Sequence, residues 1–389
     1  MKNLYIDVRF SFAISKSSGA FNGGNNYTKR VSRLLICNSN EKFNVILACS
    51  NGLENNISEI LKIGSCAKCI SISTLKDLNC RAGDILFIPQ VNDSLKYAKE
   101  LKDFKLNNPK TLIFCTIHDC RYNEQLLDRY DSLLKKGIKS NYLLLWLGRK
   151  MYSIERNDAI KKIAALSDKV FTVSSYSMNC LNRYKSIKYV ISYYQGVFRD
   201  TILSQDYSLD NNYIFCVSAG RPEKNFIRAI KAFEQYIVNS KNSRIKLVAT
   251  GLSCEQIKMI KERKIIDDTI LDNQVVLMGY VDDAELDRLY SECKFLLFVS
   301  KNEGFGLPVL EALLHEKPMV LSQTSSIPEV AMGSAVYVDP LSTDSISRGI
   351  GFLLDECNYA RKKEYVIRKK QIALEQISLD DKAFLNEFE

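Results

Sequence analysis

Histidine, tryptophan and proline are scarce in this sequence: two, one and seven residues among 389. His118 and His315 are the only histidines, and Cys66 and Cys69 form a lone C-x-x-C with Cys80 further on. A structural zinc site needs four Cys or His ligands, so this set reads as neither a zinc nor a redox centre. No apolar run approaches the roughly 20 residues that span a bilayer. The opening Met1–Val8 reads as a first strand, without a signal-peptide core or small-residue cleavage site. There is no short repeat and no low-complexity segment. The dinucleotide fingerprint, G-x-G-x-x-G with an acidic residue after the next strand, is missing too, which argues against a nicotinamide oxidoreductase.

Cysteine, by contrast, is plentiful at twelve residues. In a long chain with no export signal these are expected to be free thiols in a reducing cytosol. Apolar residues at 46% and charged residues at 25% suit a globular protein of two α/β domains. The formal charge is +9, and twelve Lys and Arg against three acidic residues between Lys135 and Lys188 give that stretch the same +9. Such a patch is either a solvated face or a surface for an anionic partner. Within it, Asn141–Lys150 holds Trp146 and four leucines between cations. The segment fits shallow insertion at an anionic membrane, or packing of Leu143–Leu147 into the core.

Apolar runs alternate with helical patterns along the chain, as βαβ units and parallel sheets require. The strand expectations in the first half are Leu4–Val8, Asn44–Cys49, Asp84–Ile88, Thr111–Ile117 and Lys169–Val173. In the second half they are Tyr213–Ser218, Lys246–Thr250, Val275–Met278, Phe295–Val299 and Pro318–Leu321. In Asn225–Val238, Ile227, Ile230, Phe233 and Ile237 recur at helical spacing. The polar stretch Gln205–Asn212 is the expected linker. The expected division is 1–204, 205–358 and a tail of helices at 359–389, with Tyr359–Glu375 and Ser378–Phe388 as separate helices.

The most informative stretch is Phe295–Glu311, F-L-L-F-V-S-K-N-E-G-F-G-L-P-V-L-E, an apolar strand, a loop and a helix expected to begin at Pro308. Gly304 and Gly306 let the backbone approach a ligand, and the amides of Phe305–Leu307 sit where a helix N-terminus meets an anion. Glu303 and Glu311 can border one crevice and accept hydrogen bonds from sugar or ribose hydroxyls. A second strand–loop–helix, Phe215–Asn225, carries Gly220 at a tight turn, the cations Arg221 and Lys224, and Asn225 as expected cap. Two cations there would neutralise a diphosphate and stabilise it as a leaving group. Being on a loop, they should be removable without loss of the fold. After Gly279, main-chain groups of Tyr280 and Val281 could meet a base. Each element alone is ordinary turn chemistry; three in this order at strand ends mark a ligand crevice.

The first half offers less. Gly23-Gly24-Asn25-Asn26-Tyr27 precedes a helix containing Val31, Leu34 and Leu35, after an unusual stretch at Phe10–Asn22. Thr111–Tyr122 is a buried strand ending in the polar pair His118-Asp119, either a loop-bonded histidine or a cleft residue. A strand-to-helix turn is read at Thr172–Ser177.

These motifs resemble the family-4 retaining glycosyltransferases (glycosyltransferase group 1). The resemblance rests on Glu303-Gly304-Phe305-Gly306-Leu307-Pro308 with Glu311, on Gly220-Arg221-Pro222 with Lys224-Asn225, and on Ser326-Ile327-Pro328-Glu329 and Ala335–Pro340. It is strong from about Tyr213 to Pro340 and thin before. It implies an α/β GT-B fold of two facing Rossmann-like domains with a C-terminal helix crossing back to the first. It further implies that Arg221 and Lys224 bind the donor diphosphate, Glu311 the ribose and the Tyr280 region, with Val281, the base. Glu303 and the amides of Phe305–Leu307 would hold the transferred sugar and phosphate, with Gly304 also in the donor site. Gly24 would belong to a glycine-rich loop closing on the donor, and His118 would lie near the reacting sugar.

The implied partners are a UDP- or GDP-sugar and a glycan or lipid-linked acceptor, with no nucleic acid, cofactor or metal. The Lys-, Asn- and Ile-rich composition suits a bacterial surface-polysaccharide pathway, and the expected setting is the cytoplasm, with peripheral contact at the membrane's inner face left open. The rival readings are a phosphorylase or hydrolase on the same fold, and a non-catalytic glycan-binding or scaffolding relative.

Overall fold

A computed structural model describes residues 1–11, 23–38, 42–61, 67–119, 142–183, 190–192, 212–241 and 244–389. The expected linker 205–211, the motif cysteine Cys66 and much of the basic stretch lie outside these residues. So do the side chains of 142–149, although the backbone there is helical within Tyr142–Leu166. Both readings of Asn141–Lys150 therefore stand as they were.

The described chain divides into two compact units. One takes the described parts of Met1–Asn123, Leu147–Phe198 and Glu375–Glu389; the other takes those of Glu124–Trp146 and Arg199–Leu374. The first unit's sheet contains β1 (Lys2–Asp7), β2 (Phe43–Cys49), β3 (Lys68–Ser71), β4 (Ile85–Ile88), β5 (Leu112–Ile117), β6 (Lys169–Thr172) and β7 (Val190–Ser192). The second contains β8 (Tyr213–Cys216), β9 (Lys246–Ala249), β10 (Val275–Leu277), β11 (Phe295–Phe298), β12 (Met319–Ser322) and β13 (Val336–Val338). Every pairing is parallel. The orders are β3-β2-β1-β4-β5-β6-β7 and β10-β9-β8-β11-β12-β13.

All ten expected strands exist, each within about two residues of its expected ends; β3, β7 and β13 were not anticipated. All three are edge strands of their sheets. In each order the chain reverses its direction of winding once, between β1 and β4 and between β8 and β11. Loops leaving the carboxyl ends of such a strand pair diverge and leave a crevice. The two charged motifs follow β8 and β11, so topology alone makes them neighbours.

The second core is layered as the spacing requires. Ile227, Ile230, Phe233 and Ile237 of the helix Phe226–Ser240 are buried with Ile214, Leu247 and Leu297 of the sheet, and with Ile346 and Ile350 of the helix Thr343–Leu354. Each such side chain contributes about 1.5–3 kcal/mol through burial.

The tail differs from expectation. A single helix covers Glu356–Asn386, because no Gly or Pro interrupts it and Ser378 is tolerated within it. It begins in the second unit and ends in the first. There Phe384 and Phe388 lie among Phe87, Phe114 and Phe171, with centroids 4.9–5.9 Å apart for the pairs with Phe171. No helix among the described residues is long and apolar enough to cross a membrane. The ten described cysteines are all free.

Candidate functional site

The loop after β8 turns through Ser218, which has φ of 56°, not through Gly220. Gly220 is required for space: a Cβ there would lie 2.4 Å from the Gly251 carbonyl and 2.5 Å from Gln256 Oε1. Gln256 Nε2 also donates to the Gly220 carbonyl at 2.7 Å, tying this loop to the helix Cys254–Glu262. A short 3-10 turn, Pro222–Lys224, follows with Arg221 at its N-cap.

Asn225 does not cap the next helix through its side chain. It sits at φ 61° and Nδ2 instead donates to the carbonyls of Val299 at 3.2 Å and Pro340 at 2.7 Å. Its Oδ1 accepts from Arg228 Nη1 at 2.8 Å. One amide thus joins the ends of β8, β11 and β13, and the left-handed turn delivers Lys224 inward.

Lys224 and Glu303 meet there. Lys224 Nζ donates to Glu303 Oε1 at 2.6 Å, with side chains only 6% and 8% exposed, and Nζ stands 4.7 Å from the centroid of the Phe298 ring. A buried ion pair is sustained only when geometry and neighbouring hydrogen bonds offset its desolvation. Lys224 was expected to be dispensable for folding; its burial beside a carboxylate corrects that. Arg221 differs, its side chain 43% exposed and its Nε 3.8 Å from Glu223 Oε1. The two cations of one motif are therefore held unequally, one fixed and one at the surface.

The loop after β11 is buried from Asn302 to Gly306. Its main chain is tied to both neighbouring loops. The carbonyl of Glu223 accepts from Lys301 N–H at 2.8 Å and from the Ser300 hydroxyl at 3.0 Å, while the Ser322 hydroxyl donates to the Ser300 carbonyl at 2.5 Å. Gly306, at φ 101°, is a position only glycine adopts without strain. It caps the helix Leu307–Leu314, which starts one residue before Pro308, leaving proline at the second position. Glu311 lies in this helix and is buried. Tyr280 and Val281 follow β10 on the other flank, Tyr280 being 57% exposed. Three strand spacings of about 4.8 Å separate β10 from β11.

The first unit holds the remaining expected site residues. The helix Gly23–Asn38 begins at the first glycine, so Gly24 belongs to its first turn and not to a loop before it. A Cβ on Gly24 would approach the Gln90 amide to 2.8 Å. His118, after β5, has Nε2 at 2.9 Å from the Pro89 carbonyl, and its ring meets the Tyr27 ring edge-on at 4.7 Å. Burial pushes the Tyr27 phenol above its ordinary range, keeping it a neutral partner for Thr116 Oγ1 at 3.0 Å. Thr172–Ser177 forms the expected strand-to-helix turn, with Ser174 Oγ capping Ser177 N at 3.1 Å.

Sequence reasoning missed a polar cluster at the end of β1. Arg9, nearly buried, donates from Nε to Asp7 Oδ1 at 2.9 Å and from Nη2 to Asp7 Oδ2 at 2.8 Å. Its Nη1 donates to Glu100 Oε1 at 2.9 Å and to the Ser73 carbonyl at 3.2 Å. Tyr97 OH donates to Asp7 Oδ2 at 3.0 Å; burial, with Asp7 beside it, pushes that phenol well above its ordinary value. The signal available in the sequence was a charged pair, Asp7-Val8-Arg9, at the end of an apolar strand.

Within the basic stretch, Arg156 pairs with Asp93, Lys162 with Asp158 at 2.6 Å and Lys169 with Glu387 at 2.8 Å. Part of that patch is therefore neutralised within the fold. Among the described residues no group of three or more His, Cys, Asp or Glu is arranged to hold a metal ion.

Residues 200–370 match the family model described as glycosyl transferases group 1. That match carries the resemblance seen in the motifs across most of the second unit. An O-antigen chain mannosyltransferase B from Escherichia coli is 29% identical over 138 residues, 36% of this chain and 35% of that protein. The serotype-specific mannosyltransferase WbdA from the same species is 28% identical over 166 residues, 42% of this chain and 20% of that protein. The chain thus aligns with well under half the length of these curated relatives. Over its whole length it shares the GT-B fold with solved glycosyltransferase structures. A Rickettsia africae glycosyltransferase has a TM-score of 0.66 at 12% identity, covering 100% of this chain and 97% of that one. Anabaena HepE, solved with UDP and glucose, has a TM-score of 0.64 at 11% identity, covering 100% and 99%.

Proposed function

We propose that this chain is a retaining glycosyltransferase, moving a sugar from a nucleoside-diphosphate donor to a glycan or lipid-linked acceptor. The observation that carries the reading is the buried Lys224–Glu303 pair at the winding reversal between β8 and β11, inside a region that matches group 1 glycosyl transferases. The pair has capacity to spare. An ammonium has three N–H donors, and Lys224 gives one of them to Glu303. The others remain for phosphate oxygens, as Glu303 Oε2 remains for sugar hydroxyls. The exposed Arg221 adds a second cation able to move onto a bound diphosphate.

In this reading the Gly306 and Leu307 amides meet phosphate at the helix start, Glu311 binds the ribose hydroxyls, and Tyr280 and Val281 border the base. The chemistry is electrostatic stabilisation of the departing diphosphate, with the acceptor hydroxyl attacking on the face the diphosphate leaves. Gly24 and His118 are assigned to the donor and acceptor side of the first unit. The relative named O-antigen chain mannosyltransferase B supports a role in surface-polysaccharide synthesis, which in this reading takes place at the cytoplasmic side of the membrane.

The test is incubation with a panel of UDP- and GDP-sugars and a lipid-linked or free oligosaccharide acceptor, with the anomeric configuration of the product read by NMR. Transfer with retention is expected, and it should persist in excess EDTA, since cations and amides hold the diphosphate. Inversion refutes the mechanism. Release of free sugar or sugar phosphate in place of transfer makes the protein a hydrolase or phosphorylase, and no turnover with any donor makes it a non-catalytic relative.

A further inference from the structure

The Ser-Ser-Ile-Pro-Glu stretch after β12 has no part in the chemistry above, yet its serines grip the residue on which that chemistry turns. Ser325 Oγ accepts the Glu303 N–H at 2.9 Å. The single Ser326 hydroxyl proton is shared between the Phe305 carbonyl, 2.7 Å from Oγ, and the Glu303 carbonyl at 3.0 Å. With the Lys224 contact, Glu303 is held at its amide, its carbonyl and its carboxylate.

Both serines forgo their ordinary use. Serine before a helix usually caps it with its side chain, but Ser326, at the N-cap of the helix Ile327–Ala331, makes no such bond. Its hydroxyl, fully buried, faces another loop. Ser325 occupies φ of 51°, a left-handed conformation that costs a non-glycine residue free energy and persists only where surroundings impose it.

The peptide plane gives this grip a consequence. In a trans peptide the C=O and the following N–H point opposite ways. By drawing the carbonyls of Glu303 and Phe305 toward itself, Ser326 turns the amides of Gly304 and Gly306 away from itself.

We infer that Ser325 and Ser326 are positioning residues, setting Glu303 and the Gly306 amide in the orientation that transferred sugar and donor phosphate require. The inference rests on the function proposed above. Ser326→Ala removes the donor, Ser326→Thr keeps it, and Ser325→Gly removes a hydroxyl at a backbone angle glycine prefers. Ser326→Ala is expected to lower kcat at least tenfold, to leave nucleoside monophosphate affinity within twofold, and to speed hydrogen exchange of the 303–307 amides. Ser326→Thr should recover most of both changes. Ser325→Gly should lower kcat several-fold with no loss of melting temperature, a result that a purely structural role does not give.

Wild-type kcat in Ser326→Ala, or unchanged exchange at 303–307, overturns the inference. So does a loss of kcat matched by equal losses in melting temperature and nucleotide affinity. If the wild-type protein transfers no sugar, the proposed function fails, and exchange at 303–307 alone then decides whether the serines set this loop.

Discussion

The two sheets reverse their winding in the same way, yet the charges at the two reversals are used differently. After β1, the Arg9 guanidinium is surrounded by Asp7, Glu100 and the Ser73 carbonyl, and Asp7 also accepts from Tyr97. Four of the five N–H groups of a guanidinium are thereby used. After β8, Lys224 makes one hydrogen bond and Glu303 keeps an oxygen. Both are buried ion pairs in equivalent topological positions. A saturated network fixes the chain; an unsaturated one, next to glycines and a helix start, is ready for a ligand. Burial of charge therefore does not mark a binding site by itself; in the function proposed above, unused hydrogen-bonding capacity is what sets the second pair apart.

The strongest way to sharpen this contrast is Lys224→Ala. Turnover should fall a hundredfold or more through lost stabilisation of the leaving group. Unfolding in urea should also reveal a loss of about 3 kcal/mol, because Glu303 is left buried without its partner. Replacing both residues, as Lys224→Met with Glu303→Leu, should return most of the stability and none of the turnover. A double variant that stays as unstable as the single one would mean the pair is not the unit it is taken to be.

Arg9→Met is the matching change in the first unit. Its expected cost is also about 3 kcal/mol, but affinity for free nucleoside diphosphate should stay within twofold of wild type when measured by calorimetry. If Arg9→Met weakens nucleotide binding as much as Lys224→Ala does, the distinction between saturated and ligand-ready networks collapses.

Two glycines extend the comparison with a smaller effect. A Cβ at Gly220 meets a backbone carbonyl, which cannot yield, whereas one at Gly24 meets the far end of the Gln90 side chain, which can. Gly220→Ala should cost about 1–3 kcal/mol by overpacking, and Gly24→Ala less than about 1 kcal/mol. Melting temperatures of the two variants should fall in that order.

The mildest probe is thiol labelling of the native protein. Burial pushes the thiols of Cys115 and Cys293 up to about 12 and Cys216 higher still. Thiolate, the reactive form, is then negligible at neutral pH. Mass spectrometry should find Cys37, Cys254 and Cys357 modified and those three untouched.

What the sequence revealed follows from how far apart interacting residues lie. Gly304, Gly306 and the two glutamates fall within one strand–loop–helix, so their joint meaning can be read from spacing alone. The Lys224–Glu303 contact joins positions 79 apart, and the Arg9–Glu100 contact positions 91 apart. No local pattern records either pairing. Asn225 misled for a related reason: an Asn before a helix reads as a cap, but the carbonyls of Val299 and Pro340 compete for the same amide and win. Ser326 was visible as part of a motif and Ser325 was not, and the use of both depends on a loop more than twenty residues earlier.

The long helix Glu356–Asn386 has one more consequence, for the order in which the protein is made. Phe384 and Phe388 complete an aromatic core whose other members, Phe87, Phe114 and Phe171, precede the whole second sheet. During synthesis at about 5–20 residues per second, those rings wait on the order of ten seconds or longer for their partners. The second unit, although it comes later, has all of its strands before the first can close. Vectorial folding therefore runs against the order of the sequence here, and the first unit is the one exposed to chaperones and proteases in the interval.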